Sequence, residues 1–132
     1  MTIDGRPGGT GSTRDMTVEN TTTAGSAVRF INDARNNTLQ YSQIRGANTG
    51  ATSGVVLFST TTGTIYGNSN NLIDNCDVRE TAAALFPVNA ITSNGTTTVQ
   101  NQGNTISNNS IFNFFNSGTT SSAGILLNAG SV

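Results

Sequence analysis

The sequence predicts an all-β fold, a right-handed single-stranded parallel β-helix of about three to four coils with three short strands in each. Three observations lead to this prediction. Asn, Thr, Ser and Gly together fill about half of the 132 positions. Two sequence patterns recur in step along the chain, and internal repeats of this length are typical of solenoids. No stretch between the patterns shows the 3.6-residue apolar period of an amphipathic helix.

The composition favours an ordered domain over a disordered one. Hydrophobic residues make up 34% and charged residues 10% of the chain, and the formal net charge is -1. Disordered chains combine low hydrophobicity with high net charge, and this chain lacks the charge. Short runs of Ile, Val, Leu and Phe bounded by Asn, Gly and Ser are typical of strands and turns. We therefore expect one unit over 1–132, a β-helix segment excerpted from a longer solenoid.

The first pattern is Asn, any residue, an aliphatic residue, four residues of any kind, and a second aliphatic residue. It occurs as NTLQYSQI, NLIDNCDV and NTISNNSI, which begin at Asn37, Asn71 and Asn104, 34 and 33 residues apart. Each copy predicts the second and third strands of one coil, joined by a sharp bend. The predicted pairs of strands are 37–41 with 43–46, 71–75 with 77–80, and 104–108 with 110–115; TIDG from Thr2 and MTVEN from Met16 fit the same two columns.

The second pattern predicts the first strand of each coil. It appears as SAVRF, GVVLF, NAITS and AGILL, within predicted strands at 26–31, 54–59, 89–93 and 123–128. A repeat of this length without helices excludes the helical solenoids. A propeller needs at least four blades of four strands, for which 132 residues are too few. Three strands per repeat therefore predict a parallel β-helix.

Stacked coils need only a thin apolar column for each sheet, because every strand bonds to its equivalents in the neighbouring coils. This explains how a chain so poor in hydrophobic residues can fold. We expect Phe30 to stack on Phe58. The predicted inward columns are Val28, Val56, Ile91 and Ile125; Leu39, Ile73 and Ile106; and Val18, Ile44, Val78 and Ile111.

The bend between the second and third strands is predicted to place Asn in the left-handed region, which Asn enters more readily than other non-glycine residues. Tyr41, Asn75 and Asn108 share one bend column, and Ser42, Cys76 and Asn109 share the next. Stacked amides can hydrogen-bond from coil to coil, so we expect a ladder through Asn75, Asn108 and Asn109. Cys76 is interpreted as a small buried filler.

The repeats NNTLQYSQI, NNLIDNCDV and GNTISNNSIFNFF, with AVRFINDARNN and TIDGRPGGTGSTRDMTVENT before them, resemble right-handed β-helix repeats of the pectin-lyase-like superfamily. More narrowly, they resemble repeats in large secreted or surface proteins of Bacteroidetes-type bacteria. The resemblance covers nearly the whole chain. It implies an extracellular or cell-surface location. It does not imply one activity, because such repeats occur in lyases, hydrolases, adhesins and proteins without known activity.

Several kinds of chemistry are not expected from this sequence. It contains no His and one Cys, so Ser–His and Cys–His dyads and the usual zinc sites are not predicted, and neither is a metal or a cofactor. Six Arg residues are scattered and nearly balanced by seven acids, which argues against a nucleic-acid partner. No apolar run approaches the ~20 residues of a membrane span, so membrane insertion is not predicted.

The candidate ligand-binding residues lie on the outward side of the third strands and in the longest turn. Glu19, Arg45 and Arg79 form an outward column flanked by Gln43 and Asp77. The alternative interpretation is a ladder of cross-strand ion pairs that keeps this face soluble.

Exposed aromatic rings offer the apolar half of a carbohydrate site, and Tyr66, Phe114 and Phe115 are the candidates. The phenylalanines could instead pack under the 116–122 loop. The GRPGGTGS segment, 5–12, is interpreted as a loop inserted between strands. Arg6, Arg14 and Asp15 could contact a ligand there, and solvation of these side chains is the favoured interpretation.

Three functions are weighed. The first is a non-catalytic structural or interaction module of a secreted or cell-surface protein, with polysaccharide as the candidate partner. The second is a partial or degenerate polysaccharide lyase or glycoside hydrolase, for which Asp74, Asp77 and Glu80 would have to supply paired carboxylates. The third is an ice-binding solenoid, suggested by the Thr runs at 21–23, 60–62 and 96–98.

Self-association is also expected. Solenoid ends without caps expose strand edges and apolar core. Leu57 and Leu126 occupy outward positions of the first-strand face in line with Arg29 and Thr92, and would form a second apolar contact.

Overall fold

The computed structural model describes residues 1–59, 65–118 and 121–132 and shows an all-β solenoid of about four turns. The helical element within this described part is a 3₁₀ turn at Pro7–Gly9. The strands are β1 Thr2–Asp4, β2 Met16–Asn20, β3 Val28–Phe30, β4 Thr38–Gln40, β5 Ser42–Gly46, β6 Val56–Ser59, β7 Leu72–Asp74, β8 Asp77–Glu80, β9 Asn89–Asn94, β10 Thr105–Ser107, β11 Ser110–Ile111 and β12 Ala123–Leu127.

Three parallel four-stranded sheets run along the solenoid. Sheet A has the order β1-β4-β7-β10, sheet B has β2-β5-β8-β11, and sheet C has β3-β6-β9-β12. Each coil therefore gives its first strand to sheet C, its second to sheet A and its third to sheet B. The parallel β-solenoid predicted from the repeat is confirmed.

The strand registers confirm the three inward columns. Val56 pairs with Val28 and Ile91, Ile73 pairs with Leu39 and Ile106, and Ile44 and Val78 pair with each other in sheet B. The middle coils are closed, and Ile44, Val56 and Ile73 are 0% exposed. Ile125 keeps its place in the column but is 45% exposed, because it lies in the last coil.

An aromatic stack occupies part of the core. The rings of Phe30 and Phe58 are nearly parallel, with centroids 4.5 Å apart, as predicted. The next positions in this column are Ser93 and Leu127. Ser93 is too small to continue the stack, and a cavity of about 240 Å³ lies beside Phe58, Ser93 and Leu127.

The bends adopt the predicted left-handed conformation. Tyr41, Asn75 and Asn108 have φ values of 48°, 51° and 53°. The amide ladder predicted through Asn75, Asn108 and Asn109 is wrong, however. The Nδ2 atoms of Asn75 and Asn108 both donate to Asp74, at 2.7 and 2.9 Å, because a carboxylate is a stronger acceptor than a neighbouring amide. Asn109 instead bonds to the backbone of Ile73 and Cys76.

The asparagine ladder lies at the start of the second strand. Asn37 Nδ2 donates to Asn71 Oδ1 at 2.9 Å, and Asn71 Nδ2 donates to Asn104 Oδ1 at 3.0 Å. The same oxygens accept the backbone N–H groups of Asn37 and Asn71 at 3.1 and 2.9 Å. The first residue of the repeat pattern thus links the coils, and Asn71 is 1% exposed.

Two sequence expectations about strands need correction. The strand predicted at 110–115 ends at Ile111, because Asn113 turns into the left-handed region and Phe115 N–H bonds to Pro87 O at 2.9 Å. Leu57 does share an outward column with Thr92 and Leu126. It is nevertheless only 8% exposed, so the apolar surface expected at Leu57 is largely covered, whereas Leu126 is partly exposed.

The covering of this face comes from side chains and turns that cross sheet C. The guanidinium of Arg29, beside Leu57 in the sheet, reaches Ser59 Oγ at 2.9 Å. The turn at Ser53 accepts a hydrogen bond from Thr92 Oγ1 at 3.0 Å. These contacts lie on the outward side of the first strands, beside Leu57 and Thr92.

Candidate functional site

The outer face of sheet B brings together most of the predicted ligand-binding residues. Side chains alternate along a strand, so the inward positions of Val18, Ile44 and Val78 turn their neighbours outward. We define the sheet B face by its two outward columns and the residues beside them: Thr17, Gln43, Asp77 and Ser110; Glu19, Arg45, Arg79 and Phe112; and Arg14.

Two arginines stand directly opposite each other on this face. The register pairs Arg45 with Arg79 and Glu19 with Arg45. Like charges in opposite positions of neighbouring strands destabilise a sheet unless something neutralises them. The arrangement therefore concentrates positive charge in the middle of the face.

Arg45 lacks an acidic partner within the part of the chain that is described. Its Nη2 donates to Gln43 Oε1 at 2.5 Å, which is a neutral acceptor. Its Nε is buried and has no hydrogen-bond partner. Glu19 lies in the neighbouring position, but the ion pairs within 4.0 Å among described residues join other groups.

Arg79 combines a weak ion pair with an aromatic contact. Its Nη1 is 3.6 Å from Glu80 Oε1, and its guanidinium lies 5.8 Å from the ring centre of Phe112. Phe112 follows β11 and is 40% exposed. An arginine beside a partly open ring presents hydrogen-bond donors and an apolar platform together.

A third arginine reaches this face from the loop before β2. Arg14 Nε donates to Asn75 O at 2.5 Å, and its Nη1 is 3.2 Å from Asp77 Oδ1. Gln43 Nε2 donates to Arg14 O at 3.0 Å, which holds the loop on the sheet. The ladder of ion pairs weighed from the sequence is thus replaced by pairs of Asp77 with Arg14 and of Arg79 with Glu80.

Sequence reasoning missed two members of this face. Arg14 was assigned to a solvated loop, and its reach to β8 follows from the path of a non-repeating segment. Phe112 belongs to the FNFF run that the other repeats lack. Its position directly after Ile111 in the repeat pattern was the signal that could have placed it beside Arg79.

Tyr66 lies apart from the other five predicted residues. It belongs to the turn between β6 and β7, which Asp33 holds by accepting the N–H groups of Ile65, Tyr66 and Gly67 at 2.9 to 3.1 Å. Those donors keep the pKa of Asp33 below its usual value. Tyr66 is 57% exposed, but Arg35 lies 4.5 Å from its ring centre and covers one side.

Among the candidate carboxylates, Asp74 is placed as a hydrogen-bond acceptor rather than as an acid catalyst. Asp74 Oδ1 accepts from Ser107 Oγ at 2.7 Å and from Asn108 Nδ2 at 2.9 Å. These bonds, with that to Asn75, hold the pKa of Asp74 below its usual value. A general acid in glycoside hydrolysis needs a raised pKa and a second carboxylate across the bond to be cut.

The remaining predicted residues have structural partners. Arg6 is paired with Asp4 at 2.6 Å and lies 4.2 Å from the ring centre of Tyr41, so it is not simply solvated. Cys76 is 0% exposed, and burial raises the pKa of its thiol, which fits the predicted filler. Phe114 packs against the core, whereas Phe115 is exposed and contacts Phe86 edge to face.

The Thr runs do not form one rank within the described residues. Thr21–Thr23 follow β2, between a third and a first strand, while Thr96–Thr98 follow β9, between a first and a second strand. The run at 60–62 lies outside the described residues.

No family model, curated protein or solved structure matches the chain. The described residues contain no group of three or more His, Cys, Asp or Glu side chains arranged to hold a metal ion. They also contain no helix long and apolar enough to cross a membrane.

Proposed function

We propose that this chain is a non-catalytic β-solenoid module that binds an acidic polysaccharide along the sheet B face. The observation that carries the proposal is the opposed pair of Arg45 and Arg79, of which Arg45 has no acidic partner among the described residues. A carboxylate placed between the two guanidinium groups could accept hydrogen bonds from both and would offset one of the two positive charges. Charge-assisted hydrogen bonds of this kind are stronger than neutral ones.

The residues around the pair suit a sugar ring. Phe112 offers an apolar platform at one end of the column, and Gln43, Asp77 and Ser110 offer polar groups for hydroxyls. The columns run along the solenoid axis with the strand spacing of ~4.8 Å. Such a face suits an extended polymer better than a small compact ligand.

Family and location are part of the same proposal. The repeats resemble those of the pectin-lyase-like superfamily, and we propose that the module belongs to a secreted or cell-surface protein. The three continuous parallel sheets support a role in which the solenoid serves as a scaffold.

The test is binding of a uronic-acid oligosaccharide by calorimetry, with a neutral glucan oligosaccharide as the matched ligand. We expect binding of the acidic ligand to weaken with added salt. Arg45→Gln and Arg79→Gln should each lower affinity about tenfold, the loss expected for one charge-assisted hydrogen bond. Phe112→Ala should lower affinity for the same ligand.

Arg35→Gln is the matched control, because it removes an equal charge beside Tyr66 on another part of the solenoid. If Arg35→Gln and Arg45→Gln lowered the affinity for the acidic ligand equally, the sheet B face would not be the binding site. Binding of neutral and acidic ligands with equal affinity would contradict the role of the arginine pair.

The enzyme alternative has a separate readout. A polysaccharide lyase releases an unsaturated product that absorbs ultraviolet light. Steady turnover of a uronic-acid polymer that disappears in Arg79→Ala would make the chain an enzyme and overturn the non-catalytic part of the proposal.

A further inference from the structure

A polar cavity of about 250 Å³ lies between two turns that join sheet C to sheet A in neighbouring coils. One wall is the turn between β6 and β7, with Ile65 and Tyr66, and the other is 97–102, between β9 and β10. We infer that this cavity binds a neutral sugar ring of a polysaccharide, stacked on Tyr66. It shares no residue with the sheet B face, so it does not depend on the proposed function.

The cavity lies within the stack of coils. On one side, the carboxylate of Asp33 in the coil before holds the turn that carries Tyr66. On the other side, Asn101 N–H donates to Gly130 O in the coil after, at 2.8 Å. A further coil therefore flanks each of the two turns.

The ring of Tyr66 is held on one side and open on the other. Arg35, from the coil before, lies 4.5 Å from its ring centre. The opposite wall of the cavity comes from the coil after, so Arg35 and the cavity lie on opposite sides of Tyr66 along the solenoid. Tyr66 is 57% exposed with this guanidinium in place. Such a ring provides an apolar surface on which the C–H groups of a sugar can pack.

The wall opposite Tyr66 supplies groups for the hydroxyls of a sugar. Gln100 and Gln102 are exposed, and their side-chain amides make no hydrogen bond with other described residues. Each amide offers two N–H donors and a carbonyl acceptor, while a hydroxyl both donates and accepts. The exposed hydroxyl of Thr97 adds a group of the same kind. The cavity thus combines an aromatic surface with neutral hydrogen-bonding groups.

Both turns are fixed by hydrogen bonds, so these groups are in place before a ligand arrives. Asp33 accepts three backbone N–H groups of the first turn. In the second turn, Thr96 N–H donates to Val99 O and Val99 N–H donates to Thr96 Oγ1, both at 2.9 Å. The turns touch at Gly67, where an added Cβ would lie 2.0 Å from Gln100 O. A site held in its binding geometry loses less entropy when it binds.

The charges around the cavity favour a neutral ligand. The residues that line it are uncharged. Asp33 and Arg35 lie beside the first turn and carry opposite charges. A carboxylate in the cavity would lose water without gaining a cationic partner of its own, whereas hydroxyls can be satisfied by amides. The volume is slightly below the ~300–1,000 Å³ of sites for drug-sized ligands, which suits one ring of a longer chain.

Tyrosine fluorescence provides a direct measurement, because the chain contains two Tyr and no Trp. Tyr41→Phe leaves Tyr66 as the only tyrosine. The probes are neutral tetrasaccharides of glucose, of mannose and of galactose. We expect at least one of them to change the emission of Tyr66 in a saturable manner, equally at low and high salt. Failure of all three to bind would overturn the inference.

Substitutions on the two walls test the position of the sugar. In calorimetry, Tyr66→Ala should lower the affinity for the bound tetrasaccharide at least about tenfold, and Tyr66→Phe, which keeps the ring, less than about threefold. Gln100→Ala should lower it about fivefold, the loss expected for one neutral hydrogen bond. Phe115→Ala is the matched control, because Phe115 is 59% exposed in another turn, and it should bind like the unmodified chain. Equal affinities of Tyr66→Ala and Phe115→Ala would overturn the inference.

The cavity and the sheet B face can be tested separately. Tyr66→Ala should leave binding of the uronic-acid oligosaccharide unchanged, and it is the background in which acidic and neutral ligands are compared at the sheet B face. Arg45→Gln should leave binding of the neutral tetrasaccharide unchanged. Neutral binding without any acidic binding would support this cavity and contradict the proposed function. Loss of neutral binding in Arg45→Gln would place the neutral ligand on the sheet B face and overturn the inference.

Discussion

At the scale of single residues, polar side chains link neighbouring coils in addition to the apolar columns of the core. Asp74 shows how. Its carboxylate accepts hydrogen bonds from Ser107 and Asn108 in the next coil and from Asn75 in its own bend. One charged group thus replaces an amide ladder at this corner and ties two coils together. Its effect depends on the carboxylate remaining ionised.

Asp74 predicts a loss of stability in acid. Its pKa in the folded chain lies below the ordinary value of 3.8. The unfolded chain therefore binds more protons as the pH falls through and below 3.8, and the contribution of Asp74, fully present above that pH, is lost progressively. We expect urea unfolding at about pH 3 to show lower stability than at about pH 7.

Asp74→Asn should reduce that difference between the two pH values, because an amide does not titrate in this range. Asp4 and Asp33 also have lowered pKa values and should leave part of the acid sensitivity. Asp15→Asn, which changes an exposed acid without a side-chain hydrogen bond in the described part, should behave like the unmodified chain. An unchanged acid sensitivity in Asp74→Asn would contradict this role.

At the scale of elements, the turn before each second strand joins neighbouring coils through side chains, in addition to the pairing of the three sheets. Asn37, Asn71 and Asn104 make a continuous chain of amide hydrogen bonds there. A second link joins Asn68 to Asn101, where Asn101 Oδ1 accepts the N–H of Asn68 at 2.9 Å. Both links lie beside sheet A, and both use residues that are almost fully buried in the middle of the solenoid.

Asn71→Ala should therefore be strongly destabilising. It removes an amide that serves Asn37, Asn104 and Ala34 O and leaves buried groups without partners. We expect the free energy of unfolding to fall by about 3 kcal/mol, measured by urea unfolding.

Asn104→Ala is the matched comparison, since it removes the end of the same ladder at a partly exposed position. Water can replace its hydrogen bonds, so we expect a loss of about 1 kcal/mol. Similar losses of unfolding free energy in the two variants would mean that the position of an Asn along the ladder does not affect its contribution to stability.

At the scale of the whole molecule, stability is distributed along one axis. Each coil contacts its neighbours alone, and the middle coils are closed on both sides while the end coils are not. Apolar exposure rises toward the end faces, from 0% for Ile73 to 45% for Ile125. We therefore expect the end coils to unfold locally more often than the middle coils.

Hydrogen exchange measures the gradient directly. Amides of β7 and β8 in the middle of sheets A and B should exchange at least about 100-fold more slowly than those of β1 and β11 at low protein concentration. Uniform exchange along the solenoid would contradict a gradient of stability.

The sequence by itself determined a solenoid with three strands in each coil, the column to which each strand belongs, the inward residues and the left-handed bends. Parallel in-register stacking converts a sequence period directly into neighbours in space, so Val56 and Ile91 could be paired without coordinates. The same rule placed Glu19, Arg45 and Arg79 in one outward column.

Tertiary structure alone decided where the non-repeating segments run. The path of Arg14 onto Asp77, the burial of Leu57 and the separate position of Tyr66 depend on turns of unequal length, which carry no period. Only the structure shows which asparagines form the ladder. The amide of Asn71 lies beside other Asn side chains, whereas the amide of Asn75 lies beside the carboxylate of Asp74. Contacts between equivalent positions of neighbouring coils follow from the period of the sequence. Contacts across irregular turns depend instead on the three-dimensional path of the backbone.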